Sequence, residues 1–151
     1  TVSLSSFAGQ IVVLNFCSHK CPFSAGSDPQ FAELVNEYAP KGVVFLGIDS
    51  HHATPREEIA QYAREADLPF PILKDENHAY ADLTGAKRTP EIFIVDREGK
   101  LAYHGAFDSR RGANSPGSKP YTADALAALM AGESIATPQT KAWGCTIKRA
   151  P

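Results

Sequence analysis

The chain has 151 residues, 43% of them apolar, and a formal charge of −2 from 15 basic and 17 acidic side chains. That is enough apolar material for one packed domain over residues 1–151, and its basic residues form no stripe, which argues against nucleic acid as a partner. No run is long enough to cross a bilayer, and three cysteines are too few for a disulfide scaffold, leaving at least one thiol unpaired in a monomer.

Ile11 to Phe16 is a short, continuous, β-branched run of the kind that forms a buried strand. Phe31, Leu34, Val35 and Tyr38 then recur at helical spacing, and Pro40 and Gly42 close that helix. Pro29 lies inside the segment, where it either kinks the helix or separates a first turn around residues 22–28. Val43 to Asp49 is a second buried strand. Thr54-Pro55-Arg56-Glu57 opens the next helix with a capping box, and Ile59, Tyr62, Ala63 and Ala66 form its apolar face. Phe70 to Leu73 is a short strand candidate, and His78 to Thr84 a short helix ended by Gly85.

Glu91–Asp96 and Lys100–Gly105 flank Arg97-Glu98-Gly99, which predicts an antiparallel hairpin and hence a mixed sheet. Thr122 caps a last helix carrying Leu126, Leu129 and Met130 on one face. Asp108 to Pro120 is rich in Gly, Ser, Arg and Pro and reads as an exposed loop. A polar tail with Trp143, Gly144 and Cys145 follows; Trp143 either docks that tail or faces a partner.

The chemistry concentrates at Cys21-Pro22-Phe23-Ser24, which lies between the first strand and the first helix. A thiol at a helix N-terminus meets the positive end of the helix dipole, and Lys20 beside it adds charge of the same sign, so thiolate is favoured over thiol. A thiolate is the nucleophile in disulfide exchange and peroxide reduction, and neither reaction needs an organic cofactor. His19 either supports the thiolate or points to solvent. His51 and His52 are read as a surface loop at the C-terminal end of a strand.

Several segments together resemble the thioredoxin fold, and more closely its redoxin or AhpC/TSA peroxiredoxin-like branch: Leu4 to Gln10, Leu14-Asn15-Phe16, Cys21-Pro22, Arg88-Thr89-Pro90-Glu91-Ile92-Phe93-Ile94-Val95-Asp96, and Gly144 to Lys148. The resemblance implies an α/β fold with a central mixed sheet between helices. It also implies a cis bond at Pro90, packed against Cys21, with Thr89 and Pro90 aligning an extended thiol substrate beside Pro22. The expected partners are a thiol reductant, a disulfide-containing protein or a hydroperoxide.

The departures are informative. Thioredoxin-like reductases carry Cys-x-x-Cys here, whereas this chain has Ser24 in the second position. Ser24 can hydrogen-bond a thiolate but cannot resolve a mixed disulfide, so Cys145, Cys17 or an external thiol must do so. Ser18 matches the Thr or Ser that peroxiredoxins place three residues before the reactive cysteine, while Leu14 stands where they have proline. Peroxiredoxins also use an arginine at the thiolate, for which Arg88, Arg110 and Arg111 are candidates. Cys17 and Cys21 have the Cys-x-x-x-Cys-Pro spacing of copper-delivery proteins of this fold, and two soft thiolates suit Cu(I). Cys17 otherwise packs as a small hydrophobe. The first residue is Thr1 and not methionine, which tilts expectation toward an exported, periplasmic or otherwise extracytoplasmic protein.

Overall fold

A computed structural model describes residues 1–151. Its first strand, β1 (Val12–Phe16), is buried along its whole length, as a mainly apolar strand covered on both faces is, with Asn15 its one polar residue. It pairs in parallel with β2 (Val44–Asp49), which pairs in parallel with the short β3 (Ile72–Lys74). On the other side β1 runs antiparallel to β5 (Glu91–Val95), and β5 pairs antiparallel with β6 (Leu101–Gly105). The sheet order is therefore β3-β2-β1-β5-β6, with the expected hairpin at one edge. A separate two-stranded sheet joins β4 (Arg88–Thr89), immediately before β5, to β7 (Cys145–Thr146) in the tail.

Strand alternation sorts the side chains of β1 between two apolar clusters. Val13, with Ile11 just before the strand, packs with Phe31, Leu34, Val35 and Tyr38 of α1 (Pro22–Tyr38) and with Ala125 and Leu126 of α4 (Tyr121–Met130). Val12, Leu14 and Phe16 face the opposite cluster, where Ala81 of α3 (Ala79–Thr84), Ala86, Phe93 and the tail residue Ile147 pack. Phe31 anchors the first cluster, its ring meeting Phe70, Phe45 and Phe107 edge-on at 4.9, 5.6 and 6.0 Å. Truncating so enclosed a ring costs about 3–5 kcal/mol.

Pro29 does not separate a first turn: α1 runs through it as one helix, and the apolar stripe from Phe31 to Tyr38 and the Asp28–Tyr62 hydrogen bond hold both halves to the rest of the fold. Three further local expectations are corrected. The capping box at Thr54 does not form. The helix α2 (Arg56–Glu65) starts after Pro55, and the Thr54 hydroxyl is buried with no hydrogen-bond partner. Thr122 lies inside α4, and not at its cap, and its hydroxyl donates instead to the Phe107 carbonyl at 2.9 Å. Asp108 to Pro120 is not simply an exposed loop, since Asp108 and Arg110 are each only 4% exposed.

That loop is pinned by a buried ion pair. Arg110 Nε and Nη2 donate to Asp108 Oδ1 and Oδ2 at 2.9 and 2.8 Å, the planar fork that a carboxylate accepts best. The remaining guanidinium hydrogens reach the carbonyls of Gly26 and Ala113 and the Gln30 side chain, tying the loop to α1. Gly26 permits this approach, because a Cβ there would run into the Ala113 carbonyl.

Candidate redox site

β1 delivers the chain to the sheet's end, and residues 17–20 turn it into α1, whose N-cap is Cys21 and whose first residue is Pro22. Pro22 suits that place because its ring presets the helical φ and its missing N–H would find no partner in the first turn. The turn is held by Cys21 N–H donating to the Ser18 carbonyl at 3.1 Å and by Ser18 N–H donating to Ser24 Oγ at 3.0 Å. The Ser18 hydroxyl accepts from Lys20 N–H at 3.2 Å. Ser18 and Ser24 are thus committed to the shape of the loop that presents Cys21.

Opposite Cys21 stand Thr89 and Pro90, joined by a cis peptide. Because Phe16 faces Glu91 in the β1–β5 register, the end of β1 brings the cysteine loop against this bend. The Thr89 carbonyl oxygen lies 3.2 Å from Cys21 Sγ, and Thr89 is nearly fully buried. The bend itself is stapled by Glu91, whose Oε1 accepts Lys87 N–H and Arg88 N–H at 2.8 and 2.9 Å while Oε2 meets His104 Nε2 at 2.6 Å.

Cys21 is joined in a disulfide to Cys145, with Cα atoms 5.9 Å apart, within the usual range for such a bridge. Cys145 reaches it on β7, with Thr89 opposite Cys145 and Arg88 opposite Thr146. Contacts on both sides of Cys145 hold the tail. Trp143 Nε1 donates to the Asp108 carbonyl at 2.8 Å, and its ring meets Phe23 edge-on at 5.6 Å. Ile147 is buried and its N–H donates to the Lys87 carbonyl at 2.9 Å; His52 N–H donates to the Lys148 carbonyl at 2.6 Å. Gly144, at φ +113°, lies so close beneath the Thr89 carbonyl that a Cβ would collide with it.

Cys17 is a free thiol, almost fully buried beside Gly47, and burial pushes its pKa well up, with Asp28 and Asp49 adding to the effect. The structure does not bring its sulfur into the bridge. Nor does any group of three or more His, Cys, Asp or Glu side chains stand where it could hold a metal ion. Of the three arginines, Arg110 is consumed by its pair with Asp108, Arg88 reaches Thr146 Oγ1 at 2.8 Å, and Arg111 is exposed.

His19 and His51 depart from expectation, whereas His52 is exposed as expected. His19 neither points to solvent nor touches the thiol: it stacks on Tyr62 at 5.1 Å and meets Glu58 Oε1 at 2.9 Å, the same carboxylate that pairs with Lys20. His51 is buried, not on the surface: the Asp49 carboxylate accepts its backbone N–H, Lys74 Nζ donates to its carbonyl, and burial lowers its pKa. A polar layer missed by pattern reading lies beside Cys17. Asp28 accepts a short hydrogen bond from the Tyr62 hydroxyl, leaves its second oxygen unpartnered, and has its pKa raised by burial to about 6. No motif marks this layer; a charged residue on the apolar side of a helix was its one signal.

The pattern of the AhpC/TSA family matches residues 1–104. The chain belongs to the AhpC/TSA family. Among curated relatives, this AhpC/TSA chain is 27% identical over 100 residues to thiol-disulfide oxidoreductase ResA of Bacillus thuringiensis subsp. konkukian, covering 66% of this chain and 57% of that one. It is 29% identical over 111 residues to the chloroplastic peroxiredoxin Q of Triticum aestivum, covering 68% and 50%. The chain thus spans about half the length of these relatives. Among solved structures, an uncharacterized conserved protein of Geobacillus kaustophilus is 34% identical, with a TM-score of 0.89 over 99% of this chain and 83% of that one. An exposed lipoprotein thioredoxin of Streptococcus pneumoniae, 23% identical over 67% of this chain and 77% of that one, shares the fold at a TM-score of 0.59. The family match ends before the tail, whereas the Geobacillus likeness extends over it.

Proposed function

We propose that this chain is a thiol-dependent oxidoreductase acting on disulfides or peroxides, with Cys21 as nucleophile and Cys145 as its resolving partner. The observation that carries the reading is the Cys21–Cys145 disulfide at the N-terminus of α1, opposite the Thr89–Pro90 bend. In the reduced protein the helix dipole favours the Cys21 thiolate. With a hydroperoxide, that thiolate attacks the outer oxygen and the O–O bond breaks. The alcohol or water leaves with the electron pair and takes up a proton, and Cys21 becomes a sulfenic acid. The Cys145 thiol then attacks that sulfur, water departs, and the disulfide closes. With a disulfide substrate, Cys21 first forms a mixed disulfide, which Cys145 resolves by releasing the substrate's second thiol.

Either cycle ends when an external dithiol reduces the bridge. Ser18 and Ser24 shape the Cys21 loop, Pro22 starts the helix, and Thr89 and Pro90 wall the site. Cys17 serves packing. The whole chain acts as one domain, and its place is an oxidising compartment outside the cytoplasm, where a bridge of this kind persists.

The test is rapid mixing of the fully reduced protein with one equivalent of hydrogen peroxide or of an oxidised dithiol, followed by peptide mapping. The reading predicts that at least one oxidant produces the Cys21–Cys145 bridge and that Cys21→Ser abolishes the reaction. A Cys21 inert to both contradicts it.

A further inference from the structure

The edge of β4 beside Cys21 offers main-chain hydrogen bonds to an added strand, the way extended polypeptides are recognised at open sheet edges. In this chain the edge is already taken: β7 occupies it in antiparallel register with Arg88 and Thr89. The tail's hold does not depend on the disulfide alone. Trp143 is fixed to Asp108, Ile147 is 2% exposed in an apolar cluster, and Arg149 donates to Asp82 Oδ1 and to the Ala86 carbonyl, each at 2.8 Å. The two sulfurs also differ in access, since Cys21 is 1% exposed while Cys145 is only half-buried.

We infer that β7, held by its flanking residues between 143 and 149, is a resident strand that stays on the β4 edge in both redox states, barring extended polypeptide disulfides from Cys21 and making Cys145 the entry point for a reducing dithiol. The inference rests on the proposed Cys21–Cys145 couple and names the substrates it refuses. In the reducing step a thiolate of the dithiol attacks Cys145 Sγ, the bridge breaks, and Cys21 leaves as a thiolate with the electron pair. The partner's second thiolate then attacks its own sulfur in the mixed disulfide. The partner leaves as a disulfide, and Cys145 departs as a thiolate that takes a proton from water. The two electrons of the dithiol end on Cys21 and Cys145.

Amide exchange on the intact protein, oxidised and reduced, tests the tail directly. The Ile147 amide, bonded to Lys87, and the His52 amide, bonded to Lys148, are expected to keep their protection within about tenfold on reduction. Exchange at the rate of an unstructured peptide after reduction overturns the inference. A second measurement compares oxidation of Cys21 by a disulfide-linked dimer of a short extended peptide with oxidation by hydrogen peroxide. The ratio of peptide rate to peroxide rate is expected to rise about tenfold or more in Ile147→Ser, which loosens the strand. An unchanged ratio in a folded variant overturns the inference, leaving the proposed function intact. Failure of Cys21 to react with either oxidant overturns both.

Discussion

Thr89 stands opposite Cys145 in the β4–β7 register while its carbonyl oxygen lies 3.2 Å from Cys21 Sγ, so one residue touches both halves of the disulfide. The bend before β5 and the tail after α4 are far apart in sequence, and they meet only because β1 pairs with β5 and β7 with β4. The disulfide is the product of that topology.

Gly144 makes the close approach possible, since a side chain there would strike the Thr89 carbonyl at a φ of +113° that L-residues rarely adopt. Gly144→Ala is therefore expected to weaken tail docking by about 1–3 kcal/mol. The measurement is the rate of Cys21–Cys145 closure after oxidation, which should fall while the reduced fold keeps its far-ultraviolet dichroism. An unchanged closure rate would mean that the tail adjusts without strain.

Glu91 is the staple of the Thr89–Pro90 bend, accepting two backbone N–H groups from a position only 4% exposed. Glu91→Ala leaves both donors and His104 without their acceptor, at a cost of about 2–4 kcal/mol in denaturant unfolding. Glu91→Gln keeps one acceptor oxygen and is expected to cost less. Equal losses in the two variants would point to packing and not to hydrogen bonding.

Asp28 sets a pH dependence of stability. Burial raises its pKa from 3.8 to about 6, against the opposing effect of the Tyr62 hydrogen bond. The folded protein therefore binds a proton that the unfolded chain has released over this interval, and stability falls as pH rises through it. Asp28→Asn removes the penalty: it should gain at most about 3 kcal/mol over wild type above pH 6 and show no such gain below pH 3.8. Urea unfolding at several pH values checks this, and a gain independent of pH would contradict it.

Cys17 is enclosed beside Gly47. Cys17→Ala is expected to leave formation of the Cys21–Cys145 bridge unchanged and to cost about 1 kcal/mol of stability. Loss of turnover in a folded Cys17→Ala protein would instead make it a redox participant, and Cu(I) binding that vanishes with this substitution would make it a metal ligand.

The sheet was largely legible because its strands advertise themselves: β1 and β2 are short, mainly apolar runs, and the β5–β6 hairpin surrounds a Glu-Gly turn. The position of Cys21 at a helix start was legible from its place between strand and helix, and the cis bond at Pro90 from the family resemblance. Other features depended on distant partners. Arg110 looked like a solvent-facing loop residue because Asp108, Gly26 and Gln30, which complete its hydrogen bonds, come together only in the fold. His51 was hidden for a similar reason, buried where Lys148 of the tail crosses His52. Thr54 carried a capping signal, but Pro55 took the cap position and left the hydroxyl unpartnered. The choice between Cys17 and Cys145 was open in sequence because the distance from Cys21 to Cys145 depends on where the tail returns, which no local pattern shows.

The most direct test of the central claim is equilibration of the protein in glutathione redox buffers, with acid quench, alkylation and peptide mapping of all three cysteines. The account predicts one cooperative two-electron transition in which Cys21 and Cys145 lose and regain their alkylation together, while Cys17 is alkylated only after denaturation at every potential. Glutathione held on Cys21 with Cys145 still free to alkylate throughout the transition would contradict it.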